Sequence, residues 1–179
     1  MRVITGTARG RRLLEPEGMD IRPTTDMVKE AMFNIVQFDI EGRRVLDLFA
    51  GTGQLGIEAL SRGAAEAVFV DESAKSLKIV RANLERCRLA GRVEQSDSIA
   101  FLHRAGKFDL VFLDPPYDSD LLEKALEVIQ NVDILNDGGI IVCESRREKS
   151  LPELDAPYRQ TLSRRYGKVC LTVYKKDTD

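Results

Sequence analysis

The sequence of 179 residues contains one histidine, no tryptophan and only three cysteines. His103 stands alone, so a histidine-based zinc or non-haem iron centre is not expected, because such sites need several ligands. Cys87, Cys143 and Cys170 lack the short spacing of metal ligands, and their number is odd. Unpaired thiols of this kind are typical of a cytoplasmic protein. We therefore expect a cytoplasmic protein without a metal cofactor.

Long apolar runs are also missing. No stretch of about 18 apolar residues is present, so no membrane span is expected. The first residues, MRVITGTARGRR, lack the apolar core of a signal peptide. With 43% hydrophobic and 31% charged residues, the chain can bury a core in one domain. We expect a monomer, because one such domain closes its own core.

The net charge of −2 neither favours nor excludes nucleic acid as a partner. The positive charges, however, are grouped. The basic clusters are Arg2, Arg9, Arg11 and Arg12; Arg146, Arg147 and Lys149; and Arg164, Arg165 and Lys168. Such clusters can bind phosphate even on a near-neutral protein, although solvated surface charge explains any one of them equally well.

Short and nearly continuous apolar runs alternate with helical patterns. Continuous runs indicate strands that are buried on both faces, as in a parallel sheet. The expected strands are Val45–Phe49, Ala67–Val70, Leu110–Leu113 and Ile140–Cys143, with a weaker one at Val93–Gln95. The alternation predicts an α/β fold with a doubly wound, mostly parallel sheet.

Two helices between these strands have predicted apolar faces. In SAKSLKIVRANLERCR the face comprises Leu77, Val80, Leu84 and Cys87. In DLLEKALEVIQNV it comprises Leu121, Ala125, Val128 and Val132.

The two ends of the chain depart from this pattern. Residues 2–6 and 11–15 are expected to form a hairpin around TARG. A helix should then begin near Thr24 or Thr25, after Pro23. Segments 159–165 and 168–175 are expected to form a terminal antiparallel pair joined at Tyr166-Gly167. We accordingly divide the chain into an N-terminal extension, residues 1–22, and a main domain, residues 23–179.

A glycine-rich loop follows the first expected strand. Gly51-Thr52-Gly53-Gln54-Leu55-Gly56 fits the G-x-G-x-x-G pattern and stands between a strand and a helix. Asp71 closes the next strand, where a carboxylate can accept both hydroxyl hydrogens of a ribose. The loop therefore predicts a nucleoside-containing cofactor, with a purely structural strand-to-helix turn as the alternative.

The residues before the loop argue against a dinucleotide. Asp47 begins the pattern Asp47-x-Phe49-x-Gly51-x-Gly53, and an acid beside a pyrophosphate would repel it. S-adenosylmethionine (SAM) has an ammonium, a sulfonium and no phosphate, so Asp47 can help hold its cationic end. Gly51 and Gly53 would leave room for the methionine part. The alternative for Asp47 is a structural hydrogen bond to the loop backbone.

A second motif, Asp114-Pro115-Pro116-Tyr117, ends a buried strand. Ligands of open α/β sheets bind at the carboxyl ends of strands. The side chain of Asp114 and the carbonyl of Pro115 can accept both hydrogens of a planar exocyclic amine, which favours a pyramidal and more nucleophilic nitrogen. Tyr117 can stack on the ring that carries the amine. The motif thus predicts methylation of an amino group, with a rigid structural loop as the alternative.

Together these motifs make the chain resemble class I SAM-dependent methyltransferases. More closely, it resembles the bacterial 16S rRNA guanine-N2 methyltransferases of the RsmD type. The stretches that carry the resemblance are RVITGTARGRRL, IRPTTDMVKEAMFNIV, VLDLFAGTGQLGIEALSRGA, VFVD and LVFLDPPY.

The resemblance implies a Rossmann-like, seven-stranded sheet with an N-terminal hairpin extension. It also implies methyl transfer from SAM to N2 of guanine 966 (usual 16S numbering), in an assembling or assembled small subunit. The implied site residues are, for the cofactor, Asp47, Phe49, Gly51, Gly53, Asp71, Asp97 and Ser98; for catalysis, Asp114, Pro115 and Tyr117; and for RNA, Arg9, Arg11, Arg12, Arg22, Pro116 and Tyr117.

Asp97 and Ser98 are placed near the adenine of the cofactor by this resemblance. An equally good interpretation makes Asp97 the N-cap of the following helix, and the two roles are compatible.

Three rival functions stay open on the residues alone. An NAD-dependent oxidoreductase explains the glycine loop and Asp71 but gives Asp47 and the Asp114–Tyr117 motif no role. A methyltransferase for adenine N6 in DNA, or for a protein glutamine, needs the same motif. A non-catalytic RNA chaperone would use only the arginine-rich N-terminus.

Overall fold

The computed structural model describes residues 1–18 and 25–178, which form five helices and seven strands. The helices are α1 (Asp26–Ile35), α2 (Gln54–Ser61), α3 (Ala74–Cys87), α4 (Ser98–Arg104) and α5 (Leu121–Val132). The strands are β1 (Arg44–Asp47), β2 (Glu66–Asp71), β3 (Arg92–Gln95), β4 (Phe108–Leu113), β5 (Leu135–Arg146), β6 (Tyr158–Tyr166) and β7 (Val169–Lys176).

The strands form one sheet in the order β3-β2-β1-β4-β5-β7-β6. The first five are parallel, while β7 runs antiparallel to both β5 and β6. The predicted doubly wound α/β fold and the terminal antiparallel pair are therefore confirmed. Strand β1 ends at Asp47 instead of Phe49, because the chain there leaves the ladder to enter the glycine loop.

Each face of the sheet has its own apolar core. Neighbouring residues of one strand point to opposite faces, so Leu110 and Phe112 pack with α1, α2 and α3, whereas Val111 and Leu113 pack with α4 and α5. Because both faces of these strands are buried, their sequences are continuous apolar runs.

One of the two predicted helix faces is correct. In α3, all four predicted residues are buried. In α5 the prediction is correct for Ala125 and wrong for Val132, which is 37% exposed; the other buried residues are Leu122, Leu126 and Ile129. The apolar residues of α5 cover a wide stripe that includes both the predicted and the observed positions. Packing against the sheet buries the residues at the centre of that stripe.

The N-terminal extension forms a hairpin-like loop whose antiparallel pairing is reduced to one bridge, Arg2↔Arg12. The predicted strands 2–6 and 11–15 do not extend further, because side chains of α2 replace the ladder. Glu58 accepts from the N–H groups of Ile4 (2.9 Å) and Thr5 (3.0 Å).

Two further contacts fix this extension on the main domain. Gly6 has φ +90°, and a Cβ there would lie 1.8 Å from the carbonyl oxygen of Ser61, so only glycine fits. Val3, Ala8 and Leu13 are buried. The extension is thus continuous with the core.

Helix α1 begins as predicted, with the Thr25 side chain accepting from the N–H of Val28. The predicted Arg22, Pro23 and Thr24 lie outside the described residues. None of the described helices combines the length and the apolar character that crossing a membrane requires.

Candidate active site

A cleft of about 1080 Å³ opens at the carboxyl ends of β1, β2, β4 and β5. Most of the residues predicted for the site line this cleft: Asp47, Phe49, Gly51, Asp71, Asp97, Ser98, Asp114, Pro115, Pro116 and Tyr117. The glycine loop and the Asp114–Tyr117 turn, which are far apart in the sequence, therefore face one space. This is the edge at which open parallel sheets bind their ligands.

The two predicted glycines of the loop have different roles. Gly51 has φ +55°, and a Cβ there would meet nothing within 4 Å, so its backbone borders open space. Gly53 does not line the cleft: a Cβ there would lie 3.1 Å from Cγ1 of Val80. A φ of +81° and close packing against α3 account for a glycine at this position, and its part in cofactor binding stays a prediction.

Asp47 lies beneath the loop and is 2% exposed. Its Oδ2 accepts from the N–H of Gly56 at 3.0 Å, in the first turn of α2. The structural hydrogen bond considered as an alternative is thus present, and the residue also borders the cleft. Burial raises the pKa of Asp47 to about 7. The hydrogen bond from the N–H of Gly56 opposes this rise, and the charge of Asp71 adds to it.

Asp71 and Asp97 hold their own loops in place. Asp71 accepts from the N–H groups of Gly51 and Ser73, each at 2.9 Å and on different oxygens. A carboxylate has about four acceptor positions, so it can still receive the hydroxyls of a ribose. Asp97 accepts from the N–H of Ala100 at 2.8 Å, which confirms the predicted N-cap, and it lines the cleft as well.

The chemistry of the glycine-loop side suits a cation rather than a phosphate. Its ionisable side chains are acidic: Asp47, Asp71, Glu72 and Asp97. In addition, Gln54 lines the cleft and is only 8% exposed, yet its Oε1 has no hydrogen-bond partner among the described residues. An orphaned buried acceptor beside carboxylates fits an ammonium donor, so these residues fit SAM and would repel the pyrophosphate of NAD.

The opposite side of the cleft carries the Asp114–Tyr117 turn. Asp114 follows β4 directly and is half-buried, and Pro115 is buried. The hydroxyl of Tyr117 donates to Oε1 of Glu144 at 2.5 Å. The guanidinium of Arg146 lies 5.8 Å from the centre of the Tyr117 ring. Two residues of strand β5 therefore contact the Tyr117 side chain.

Sequence reasoning missed Glu144 and Gln54. Glu144 is 2% exposed and lines the cleft, and its signal was an acid that closes the apolar run IIVC. Gln54 occupies a variable position of the glycine motif, where no pattern marks it. In the described part of the chain, no group of three or more potential ligands could hold a metal ion.

The predicted N-terminal arginines do not reach this cleft. Arg9, Arg11 and Arg12 are exposed, and Arg11 and Arg12 border a separate hollow of about 300 Å³ together with Arg86. The Nε of Arg86 donates to the carbonyl of Arg12 at 3.2 Å. Three guanidinium groups thus surround one small space. The predicted Arg22 lies outside the described residues.

Comparisons with known proteins identify the family of the chain. The family described as Conserved hypothetical protein 95 matches residues 1–175. The chain is 42% identical to the putative rRNA methyltransferase YlbH of Bacillus subtilis, over 98% of this chain and 99% of the relative. It is 36% identical to the ribosomal RNA small subunit methyltransferase D of Escherichia coli, over 99% of this chain and 90% of the relative.

A solved structure gives the same result. The putative methyltransferase yhhF from Escherichia coli superimposes with a TM-score of 0.89 at 34% identity, covering 100% of this chain and 99% of the other. The chain therefore belongs to the Conserved hypothetical protein 95 family, that of the small subunit rRNA methyltransferases D which its sequence resembles.

Proposed function

We propose that this protein transfers a methyl group from SAM to the exocyclic N2 of a guanine in 16S rRNA of the small ribosomal subunit. One observation carries the proposal. The acidic glycine-loop side and the Asp114–Tyr117 turn face each other across a single cleft. The similarity to a putative rRNA methyltransferase and to a ribosomal RNA small subunit methyltransferase supports RNA as the acceptor.

The cofactor half of the cleft holds the parts of SAM by charge and hydrogen bonding. Asp47 and Oε1 of Gln54 would hold the ammonium end, Asp71 would accept hydrogen bonds from the ribose hydroxyls, and Asp97 and Ser98 would lie on the adenine side. Phe49, which lines the cleft and is half-buried, adds apolar surface. When bound, SAM supplies an electrophilic methyl group.

The acceptor half activates the amine. Its lone pair is delocalised into the base, so it is a poor nucleophile until the nitrogen becomes pyramidal. Asp114 and the carbonyl of Pro115 accept its two hydrogens and favour that shape. Pro116 and Tyr117 contact the base, whose stacking on an aromatic ring is worth roughly 1–3 kcal/mol. The nitrogen becomes acidic once methylated, and its extra proton leaves through Asp114.

The RNA strand meets the protein outside the cleft. Arg9, Arg11 and Arg12 lie on the exposed N-terminal extension, and none of them has an ion-pair partner among the described residues. Guanidinium groups bind phosphate in a bidentate manner, so these residues, together with Arg22, are proposed to hold backbone phosphates.

The function is tested by methyl transfer. Small subunits are isolated from cells that lack this protein and incubated with it and with methyl-labelled SAM, and the RNA is then digested to nucleosides. Labelled N2-methylguanosine at one site is the expected result. Label in DNA or in a protein glutamine, offered in parallel, with none in the subunit, would move the acceptor to that class.

Replacing Asp47 with asparagine should weaken SAM binding and flatten its pH dependence. The pKa of Asp47 is about 7 instead of 3.8, so the carboxyl group is largely protonated in mildly acidic solution. A cationic ligand favours the ionised form, and the Kd of SAM should therefore fall as the pH rises toward about 7. Calorimetric titration of both proteins between mildly acidic and neutral pH measures this difference.

Stability provides the control for Asp47. The pKa of Asp47 is higher in the folded protein than in the unfolded chain, so the folded protein binds the proton more tightly and is stabilised by it at low pH. This stabilisation is lost as the pH rises from 3.8 to about 7. The asparagine variant should show no such loss and should unfold at a higher temperature than the wild type above that range. An equal slope of Kd against pH in the two proteins would assign the titration to the ligand's own amine.

Replacing Tyr117 with phenylalanine should lower kcat by about tenfold or more. The stacking ring is kept, but Glu144 is left buried without this donor, and a hydrogen bond to a charged group is worth about 1.5–3 kcal/mol. Glu144→Gln keeps an acceptor oxygen for the hydroxyl and should be milder. Steady-state kinetics of both single variants and of the double variant measure the coupling.

The expected coupling is strong: the double variant should lose little more than Tyr117→Phe alone. The Kd of SAM should be unchanged in all three. Full activity of Tyr117→Phe would show that Glu144 does not position the ring.

A further inference from the structure

A second basic surface lies directly beside the acceptor half of the cleft. Strand β5 ends at Arg146, which is paired with Val169 at the start of β7, and Tyr166 at the end of β6 is paired with the same residue. The end of β5 and the β6–β7 turn therefore lie side by side, at the end of the strands where the cleft opens. Arg146 and Lys168 line the cleft itself.

This surface, here named the basic rim, consists of Arg146, Arg147, Arg164, Arg165 and Lys168. All five side chains are exposed. Only Arg146 forms an ion pair, with Asp118 at 2.9 Å, and in the described part of the chain the other four lie beyond ion-pairing distance of any carboxylate. The acids that line this side of the cleft are Asp114, Asp118, Glu144 and Glu148, and among the rim residues only Arg146 is paired with one of them. The rim is thus a concentration of uncompensated positive charge.

Protection of the sheet edge does not explain this distribution. Edge strands often carry charged residues that prevent pairing with another chain, and β6 is such a strand. However, its exposed central residues, Gln160, Thr161 and Ser163, are neutral. Arg159 at the far end is neutralised by Asp177 at 2.7 Å. Within β6, the uncompensated charge is confined to Arg164 and Arg165, at the end beside the cleft.

We propose that the basic rim binds the backbone phosphates of the RNA strand that leads into the cleft, on the side opposite the N-terminal extension. The proposal rests on the proposed function. Phosphate contacts fix the position of a nucleic acid without reading its sequence. Contacts at the rim would hold the strand next to Tyr117, where the target base must enter.

The test compares two triple variants with equal loss of charge. The first is Arg164→Ala, Arg165→Ala and Lys168→Ala, which leaves Arg146 in contact with Tyr117. The control is Lys107→Ala, Arg159→Ala and Lys175→Ala, which lie at the end of the sheet away from the cleft. Methylation of small subunits is measured against subunit concentration at several salt concentrations, and SAM binding is measured separately.

The rim variant should raise KM for subunits by about tenfold and leave kcat and SAM binding unchanged. Each lost phosphate contact lowers the slope of log KM against log salt by about 0.7–0.9, so three contacts lower it by about 2.1–2.7. The control variant should match the wild type.

An unchanged KM and slope in the rim variant, with an active wild type, would overturn the proposal. So would a fall in kcat alone, which would mean that the rim acts on the chemical step. A variant of Arg9, Arg11 and Arg12 that raises KM while the rim variant does not would place the RNA entirely on the N-terminal side. A wild type that methylates no subunit would instead reject the proposed function.

Discussion

Replacing Asp114 with alanine is expected to lower kcat by about a hundredfold to a thousandfold while SAM binding stays at its wild-type level. Asp114 lies on the acceptor side of the cleft, directly after β4, whereas the groups that fit SAM lie on the glycine loop and β2. Its carboxylate acts only where charge develops on the amine nitrogen. Removing one such positioned acceptor costs about 2.7–4 kcal/mol of transition-state stabilisation.

Two variants sharpen the Asp114 experiment. Asp114→Asn keeps one acceptor oxygen but loses the negative charge, so its kcat should fall between those of the alanine variant and the wild type. Asp118→Ala removes an exposed acid of the same turn, which pairs with Arg146, and should retain most activity. Single-turnover kinetics with labelled SAM, together with calorimetric SAM binding, separate chemistry from binding. Wild-type turnover of Asp114→Ala would make this residue structural.

The sequence predicted the parts of the site that are continuous in the chain. Asp47 to Gly53 and Asp114 to Tyr117 are short motifs, and the rule that parallel strands end at one edge is enough to bring them together. Glu144 could not be predicted as the partner of Tyr117, because the contact depends on how far β5 extends beyond the end of β4. Leu113 pairs with Cys143, so Glu144 lies level with the turn.

The partly wrong face of α5 and the shortened N-terminal strands have a related cause. In each case the local pattern allowed two solutions, and tertiary contacts selected one. The apolar stripe of α5 is wide, and packing against the strands selects Leu122 and Leu126 as the buried positions. The backbone of Ile4 and Thr5 bonds to a side chain of α2 instead of to another strand. Neither choice is visible in periodicity, because the selecting group is distant in sequence.

Replacing Glu58 with alanine should lower the free energy of unfolding by about 3–5 kcal/mol. Glu58 and Lys29 are both fully buried, with 3.6 Å between Oε2 and Nζ. Arg62 donates from Nε to Oε1 of Glu58 at 2.9 Å. Burial lowers the pKa of Lys29, and the charge of Glu58 opposes that shift. Without Glu58, the ammonium group stays buried near Arg62 and loses its closest counter-charge.

Urea unfolding measures the loss, and a paired substitution tests its cause. Lys29→Met combined with Glu58→Gln removes both charges and keeps the volume, so it should recover much of the stability lost in Glu58→Ala. If the double variant is as unstable as the single one, the loss comes from the hydrogen bonds to the N-terminal extension and not from the buried charge.

Hydrogen exchange then shows where the stability is lost. The N–H groups of Ile4 and Thr5 donate to Glu58 and to no backbone carbonyl of a neighbouring strand, so they should exchange much faster in Glu58→Ala. The N–H groups of β4 should change only as far as global stability falls. Selective loss at residues 1–13 would mean that Glu58 holds the N-terminal arginines against the main domain, and therefore links an interior ion pair to the proposed RNA surface. Uniform loss would mean that the extension and the sheet unfold as one unit.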